Sequence, residues 1–249
     1  MEYTHLPQSY YTKQLQRVSA VREKIASRDA IVTDGRVIPE DGEMPIGIGK
    51  RFNAAVMFLD ICDFSQRPSD SEIEQSNNLR LLSFFFSEMI RIIEDYGGFV
   101  EKNTGDGLMA YFTEDNSTSN TARQKAVAAA MSMFYAGANL LNPVILLSNL
   151  PAINFRISLD YGNITVAEVG ASRRFRGVVA IGSTANFASK MLKFATKNSI
   201  VLGLDMLNGL PRLWLEHVSL KELNTGWLRG DNPYPLYEFT GRWSQPLQI

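Results

Sequence analysis

Two aspartates at sharp turns beside apolar segments are the residues best suited to chemistry. Asp60 directly follows six consecutive apolar residues at 54–59, a pattern typical of a strand that is buried on both faces. Asp106 lies between two glycines in the segment KNTGDG at 102–107, which predicts a tight hairpin. A carboxylate at the edge of a core is costly unless something pairs with it, although a lone Asp often only caps a turn. The pair suggests a metal site.

Composition narrows the kinds of partner this chain could have. Of 249 residues 45% are hydrophobic and 20% charged, and the net charge is −1, so nucleic acid is not expected to bind. No apolar run approaches the ~20 residues needed to cross a bilayer, and no basic flank precedes an apolar stretch at the N-terminus. We therefore expect a cytoplasmic protein without a signal peptide or membrane contact. With one cysteine and two histidines, a bound metal should have oxygen ligands, as Mg²⁺ and Mn²⁺ do.

The chain divides into an N-terminal extension, residues 1–50, and a larger domain, residues 51–243. Apolar residues at helical spacing predict one short amphipathic helix in the extension, and these residues are Leu15, Val18, Val21 and Ile25. Glycines and prolines between 34 and 45 then predict a linker. The extension could be a docking or dimerisation element, and a loosely packed segment fits equally well.

Patterns within the larger domain predict alternating strands and helices. A capping box at Ser71 and Glu74 begins a long helix that ends at Gly97 and Gly98. Two further helices are expected at 121–141 and 184–197, with Pro143 just beyond the first. Expected strands are 53–59, 99–103, 108–112, 153–159, 164–169, 199–202, 213–218 and 234–239. Strict alternation predicts that strand 153–159 has one buried and one solvated face, with a turn at 161–163 after it. The order strand, helix, two strands, helix, strand indicates a ferredoxin-like α+β fold.

Three segments in this order resemble the class III nucleotidyl cyclases, which include adenylyl and guanylyl cyclases. FLDICDFS at 58–65 is similar to F-x-D-I-x-G-F-T/S, and GDG at 105–107 follows a lysine at 102. IGSTANFASK at 181–190 is similar to I-G-x-x-x-N-x-A-S-R. The resemblance runs from about 53 to 239. It implies a cyclase catalytic domain with a central, mainly antiparallel sheet and flanking helices.

The resemblance also implies a role for each matching residue. Asp60, Asp106 and the backbone carbonyl of Ile61 would hold two Mg²⁺ or Mn²⁺ ions. These ions would lower the pKa of the ribose 3′-hydroxyl and neutralise charge on the leaving pyrophosphate. The other implied site residues are the catalytic Asn186 and Lys190 and the substrate-binding Phe64 and Ser65.

Asn186 would orient the ribose and Lys190 would stabilise charge on the phosphate. They are four apart on an expected helix and so share a face, although a solvated helix face explains Lys190 as well. The family usually has Arg there, and Lys supplies a point charge without the bidentate fork. In the family these groups and the acids come from opposite protomers, which implies a homodimer with two shared sites.

Two positions bear on which base enters the site. In adenylyl cyclases the residue at the position of Lys102 binds adenine, together with a hydrogen-bond acceptor at the position of Val179. A valine side chain accepts no hydrogen bond, and an exocyclic amine left unpaired there would cost roughly 1–3 kcal/mol of binding free energy. Uracil, with two carbonyls, suits a lone donor better, and this favours UTP over CTP. On the other hand, Lys102 could simply face solvent on its strand.

A short cyclase with an N-terminal helix is similar to the pyrimidine cyclases of bacterial Pycsar antiphage systems. The resemblance implies cyclic UMP as product and a separate effector that it activates. The alternatives are a cytidylate cyclase, an adenylate cyclase, or a catalytically inactive nucleotide-binding regulator.

Several residues near these segments have more than one possible role. Lys221 or Arg229 could grip the triphosphate, and spacing does not choose between them. The arginines at 173, 174 and 176 could contact phosphate or form a solvated turn. Cys62 is expected to be a small filler, because hard oxygen sites do not favour thiolate. Asp63 replaces the usual glycine and is expected to cap the following turn rather than add a third acid.

Overall fold

The computed structural model describes residues 6–27, 49–103, 105–114, 120–172 and 175–244. Its helices are α1 (Gln8–Ser27), α2 (Glu72–Asp95), α3 (Ala122–Ala136), α4 (Asn142–Leu147), α5 (Ser183–Met191), α6 (Leu204–Leu207) and α7 (Arg212–Leu215). Its strands are β1 (Gly49–Ile61), β2 (Gly98–Asn103), β3 (Gly107–Thr113), β4 (Phe155–Ser172), β5 (Phe175–Ile181), β6 (Ile200–Gly203), β7 (Val218–Glu222), β8 (Leu228–Arg229), β9 (Asn232–Pro233) and β10 (Leu236–Phe239).

An eight-stranded sheet in the order β2-β3-β1-β4-β6-β10-β7 forms the centre of the fold, and β5 pairs with β4. Strands β4 and β6 are parallel, while the other pairs in this sheet are antiparallel. Strands β8 and β9 form a separate hairpin. The sheet is therefore mainly antiparallel with flanking helices, which confirms the predicted α+β fold.

Alternation along β1 sends its side chains to two different layers. The odd-numbered residues join the core cluster that includes α2 and α3, and they are Ala55, Met57, Leu59 and Ile61. The even-numbered residues Ala54 and Val56 pack with Ala185 and Ala188 of α5. The strand is buried on both faces, as predicted, and its even series ends at Asp60 on the α5 face.

Helix α2 begins and ends where the local sequence predicts. At the start of α2 the Ser71 hydroxyl accepts from the Glu74 amide at 3.3 Å, and the Glu74 carboxylate accepts from the Ser71 amide at 2.9 Å. The helix ends before Gly97, which has φ +71°. Thr121 and Gln124 form a second capping box, which we did not predict.

The helical segment that begins with α3 continues beyond its expected end at residue 141. A π-helical turn at 137–141 joins it to α4, so Pro143 lies in the first turn of α4 rather than beyond the helix. The stretch Ala122–Leu147 is long and apolar enough to cross a membrane, but most of its apolar window is buried inside the domain.

Three expectations about later elements were wrong. Strand β4 runs unbroken through 161–163 because its residues there pair with β1. From 157 to 160 both faces of β4 are buried, since α5 covers the face expected to be solvated. The segment expected as a strand at 213–218 instead contains α7, and β7 starts at Val218.

Helix α1 is docked on the domain rather than loosely packed. Val18 is buried with the main core, whereas Leu15 is 39% exposed. Arg17 forms ion pairs with the buried Glu88 at 2.9 Å and with Asp95 at 2.6 Å, both on α2. The side chains of residues 21 and 25 and the predicted linker lie outside the described residues.

Candidate active site

Both predicted metal-binding aspartates lie at the same end of two neighbouring strands, where β1 ends and β3 begins. Asp60 is opposite Gly107 in the β1–β3 ladder. One residue further on, the Ile61 amide donates to the Asp106 carbonyl at 3.0 Å. Both acidic residues are half-buried, and Ile61 is buried. The structure thus brings together the three residues predicted to bind metal.

A cation contacts the first of these acids, and the sequence analysis missed it. Arg156 of β4 is opposite Asp60 in the β1–β4 ladder. Its Nε and Nη2 donate to Asp60 Oδ2 at 2.9 and 2.7 Å. This charge offsets the cost of placing a carboxylate at the edge of the core. The pairing depends on strand register, so no local pattern in the sequence could have indicated it.

The acids fit a hard divalent cation. Within the described residues, the Asp106 side chain makes no hydrogen bond or ion pair, and Asp60 uses only Oδ2 with Arg156. Carboxylate and carbonyl oxygens are the ligands that Mg²⁺ and Mn²⁺ prefer. No group of three Asp, Glu, His or Cys residues in the described part of the chain is placed to hold a metal. The remaining ligands would therefore come from carbonyl, water or substrate oxygens.

The conformation of the loop after Asp60 differs from the one predicted for Asp63, which was expected to cap the following turn. Asp63 has φ 58° and ψ 20°, a left-handed conformation that favours glycine, which is the family's usual residue there. Its side chain does not cap the 3-10 turn at 64–66, so the expected cap was wrong. Its carboxylate instead pairs with Lys197 at 2.5 Å, and both side chains are exposed.

The other loop residues differ in burial. Phe64 is half-buried and packs against the main core, and Ser65 is exposed. Their predicted contact with substrate stays a prediction. Cys62 is half-buried, and this burial raises the pKa of its thiol. A filler role for this residue fits that position.

Helix α5 presents Asn186 and Lys190 on an exposed side. Its opposite side packs on the sheet, where the Ser158 hydroxyl donates to the Ala188 carbonyl at 2.6 Å. Ser158 is two residues from Arg156 on β4, so α5 lies over the same face that carries Asp60. Neither Asn186 nor Lys190 makes a hydrogen bond or ion pair with the acids in this single described chain.

The predicted base-reading positions are on β2 and β5. A bulge between Val100 and Lys102 aligns Lys102 with Met109, whose side chain packs in the layer beside α5. A bulge shifts all following residues by one position, so Lys102 takes a register position on the Asp60 face. Its side chain lies outside the described residues. Val179 is half-buried and pairs with Ala167 on β4.

Both late basic candidates are engaged in ion pairs. Lys221 pairs with Glu238 at 2.8 Å. Arg229 pairs with the buried Asp160 at 2.8 Å and also with Asp205. The choice of a triphosphate-gripping residue therefore stays open. The side chains of residues 173, 174 and 176 lie outside the described part of the chain.

The family of this domain is shown by its sequence over most of the chain. A model of the adenylate and guanylate cyclase catalytic domain matches residues 49–233, and the chain belongs to this family.

Curated relatives are longer than this chain. An uncharacterized protein of Mycobacterium tuberculosis is 27% identical over 218 residues, which are 86% of this chain and 38% of the relative. An adenylate cyclase of Anabaena cylindrica is 27% identical over 156 residues, which are 62% of this chain and 30% of the relative. The chain thus spans less than two-fifths of the length of either relative.

Solved structures share the fold. The guanylyl cyclase Cya2 is 18% identical with a TM-score of 0.64, over 81% of this chain and 98% of that chain. The adenylyl cyclase CyaB from P. aeruginosa is 23% identical with a TM-score of 0.60, over 78% and 96% of the two chains. At these identities the likeness concerns the fold.

Proposed function

We propose that this chain is a metal-dependent nucleotidyl cyclase that converts a nucleoside triphosphate into its 3′,5′-cyclic monophosphate and pyrophosphate. The observation that carries the proposal is the placement of Asp60 and Asp106 at adjacent strand ends, joined by the 3.0 Å hydrogen bond from Ile61. The two carboxylates and the Ile61 carbonyl would hold Mg²⁺ or Mn²⁺. When bound, such ions lower the pKa of the attacking 3′-hydroxyl and neutralise the leaving pyrophosphate.

The remaining residues act by positioning and charge. Asn186 would orient the ribose, and Lys190 would stabilise the negative charge that develops on the α-phosphate. Arg156, already within hydrogen-bonding distance of Asp60, adds positive charge beside the acids. Phe64 and Ser65 follow the first acid directly and would border the substrate.

The site would be completed by a second copy of the chain. Asn186 and Lys190 lie on the side of α5 turned away from the sheet, so the acids they serve would belong to the partner. Phe99 supports an interface on the same sheet face, because it is 57% exposed and stacks on Tyr111 at 5.8 Å. A homodimer would hold two such sites.

We further propose UTP as the preferred substrate. The half-buried Val179 offers no acceptor for an exocyclic amine, which disfavours adenine and cytosine by roughly 1–3 kcal/mol. The product would be cyclic UMP, made in the cytoplasm by a domain at residues 51–243. It would activate a separate effector in antiphage defence.

Incubation with ATP, GTP, CTP and UTP in the presence of Mn²⁺, followed by mass spectrometry, tests both levels of the proposal. We expect cyclic UMP as the main product and none from an Asp60→Asn variant. A Val179→Asp variant should shift product toward cyclic AMP. Failure to cyclise any nucleotide would overturn the enzyme assignment, and nucleotide binding without turnover would point to a regulator.

An adenylate cyclase is the second candidate. It is favoured by the relative in Anabaena cylindrica described as an adenylate cyclase. Cyclic AMP as the main product of the unmodified chain would select this candidate. It would leave the metal and helix residues in their proposed roles and overturn only the choice of base.

A further inference from the structure

A buried charged cluster lies beneath helix α5. Asp160, in the first third of β4, is 0% exposed. Its Oδ2 accepts from Arg229 Nη2 at 2.8 Å, and its Oδ1 accepts from the Tyr234 hydroxyl at 2.5 Å. Both oxygens of this carboxylate are therefore engaged inside the domain.

Arg229 connects β4 to two further elements from its place in the β8–β9 hairpin. Its Nη1 donates to the Tyr161 carbonyl on β4 at 2.8 Å and to the Asp205 carboxylate on α6. Its Nη2 also reaches the Thr184 hydroxyl, in the first turn of α5, at 3.4 Å. One guanidinium thus joins the sheet, α6 and the start of α5.

Aromatic contacts attach the same hairpin region to the middle of α5. The ring of Trp227 stacks on Phe187 with centroids 5.3 Å apart and an interplanar angle of 13°. The Arg229 guanidinium lies 5.5 Å from the Phe187 ring. Phe187 is next to Asn186 in sequence and three residues before Lys190. The helix is held by the sheet on one side and by the hairpin on another.

The cluster leaves little room for adjustment. A side chain added at Gly162 would place its Cβ 2.6 Å from the Thr184 hydroxyl, and one added at Gly203 would overlap the Asp160 carboxylate. Replacing a buried ion pair by well-packed apolar residues is often neutral or stabilising. The contribution of such a pair to net stability can therefore be small, which leaves the arrangement of the elements it joins as the property to test.

We propose that Asp160 and Arg229 form a positioning unit that fixes α5 and thereby sets where Asn186 and Lys190 stand. The fixing of the helix follows from the contacts above, whereas its catalytic consequence rests on the proposed cyclase function. Displacement of a reacting group by about 1 Å can cost about 100-fold in rate. In this proposal both residues act through α5 and not on the triphosphate, so they are positioning residues.

Hydrogen–deuterium exchange of the full-length chain tests the fixing of α5 without any need for activity. Arg229→Met should accelerate amide exchange at 183–191 by about tenfold. The double variant Asp160→Asn/Arg229→Met removes both charges of the fully buried pair and leaves unpaired only the Asp205 carboxylate, which is 33% exposed. It should show the same acceleration while staying folded. Lys221→Met is the matched control, because it breaks an ion pair between β7 and β10 and should leave α5 unchanged. Equal exchange in all four proteins would overturn the proposal.

Kinetics test the catalytic consequence. The double variant should lower kcat by about 100-fold, with the KM for the nucleotide changed less than about threefold. Adding Lys190→Ala should then cost much less than it does in the unmodified protein, because the lysine is already misplaced. Additive losses would overturn the positioning role in catalysis. Accelerated exchange in a protein whose unmodified form has no cyclase activity would overturn the proposed function alone.

Discussion

Asp60 and Asp106 lie side by side, yet their surroundings differ. Asp60 shares one oxygen with Arg156, whereas Asp106 makes no side-chain hydrogen bond to a described residue. The Arg156 guanidinium orients the Asp60 carboxylate before any metal arrives. Asp106 would gain its first strong partner only with the metal.

Neutralising either acid should remove activity while the fold persists. We expect Asp60→Asn and Asp106→Asn each to lower kcat/KM by about 100-fold or more, because metal stabilisation of the transition state supplies several kcal/mol. Asp63→Asn is the control, since its carboxylate pairs with Lys197 in an exposed position. Steady-state kinetics at several Mn²⁺ concentrations check this, and full activity in Asp106→Asn would contradict it.

Asp160 should make stability depend on pH. Burial raises the pKa of Asp160 from 3.8 to about 6, so between these values the folded state holds a proton that the unfolded chain releases. The free energy of unfolding should therefore fall as pH rises from about 4 to about 6, by about 1–3 kcal/mol. Asp160→Asn should lack this component.

Urea unfolding of both proteins between pH 4 and 7 measures the difference. Burial also raises the pKa of Glu88, but this residue is present in both proteins and its effect cancels. Parallel stability curves for the two proteins would contradict the prediction.

At the scale of elements, the sequence predicted those strands and helix ends that are determined by neighbouring residues. The apolar run before Asp60, the capping box at Ser71 and the glycine at 97 each fix an element through neighbouring residues, and all three were confirmed. The continuity of β4 was missed because pairing with β1 overrides the glycine at 162. The apolar residues after Pro211 fit a strand or a helix equally well in isolation, and proline at the N-terminal boundary of α7 matches the helix.

The docking of α1 gives an element-scale prediction. Arg17→Ala should lower the free energy of unfolding by about 3 kcal/mol, because it leaves the buried carboxylate of Glu88 without its cation. Arg91→Ala removes an exposed pair with Glu94 and should change it by less than about 0.5 kcal/mol. Urea denaturation of the two variants measures both values. Equal effects would mean that α1 contributes nothing through this contact.

At the scale of the whole molecule, a site shared between protomers predicts complementation. Asp60→Ala and Lys190→Ala should each be inactive alone. If the chains exchange freely in an equal mixture, about half of all dimers are heterodimers, and each heterodimer has one intact site out of two. About a quarter of the unmodified activity should therefore return. A mixture that stays inactive although mass spectrometry detects heterodimers would refute the shared site.

Strand β4 contributes both to the candidate site and to the sheet. It carries Arg156, Ser158 and Asp160 on one face and pairs with β1 over 13 residues. Successive strand residues alternate between faces, so loss or gain of one residue would turn every later side chain to the other layer. Natural variation in this family should therefore preserve the length of this strand while its exposed residues diverge. Insertions would accumulate at its ends, outside the stretch from 156 to 160.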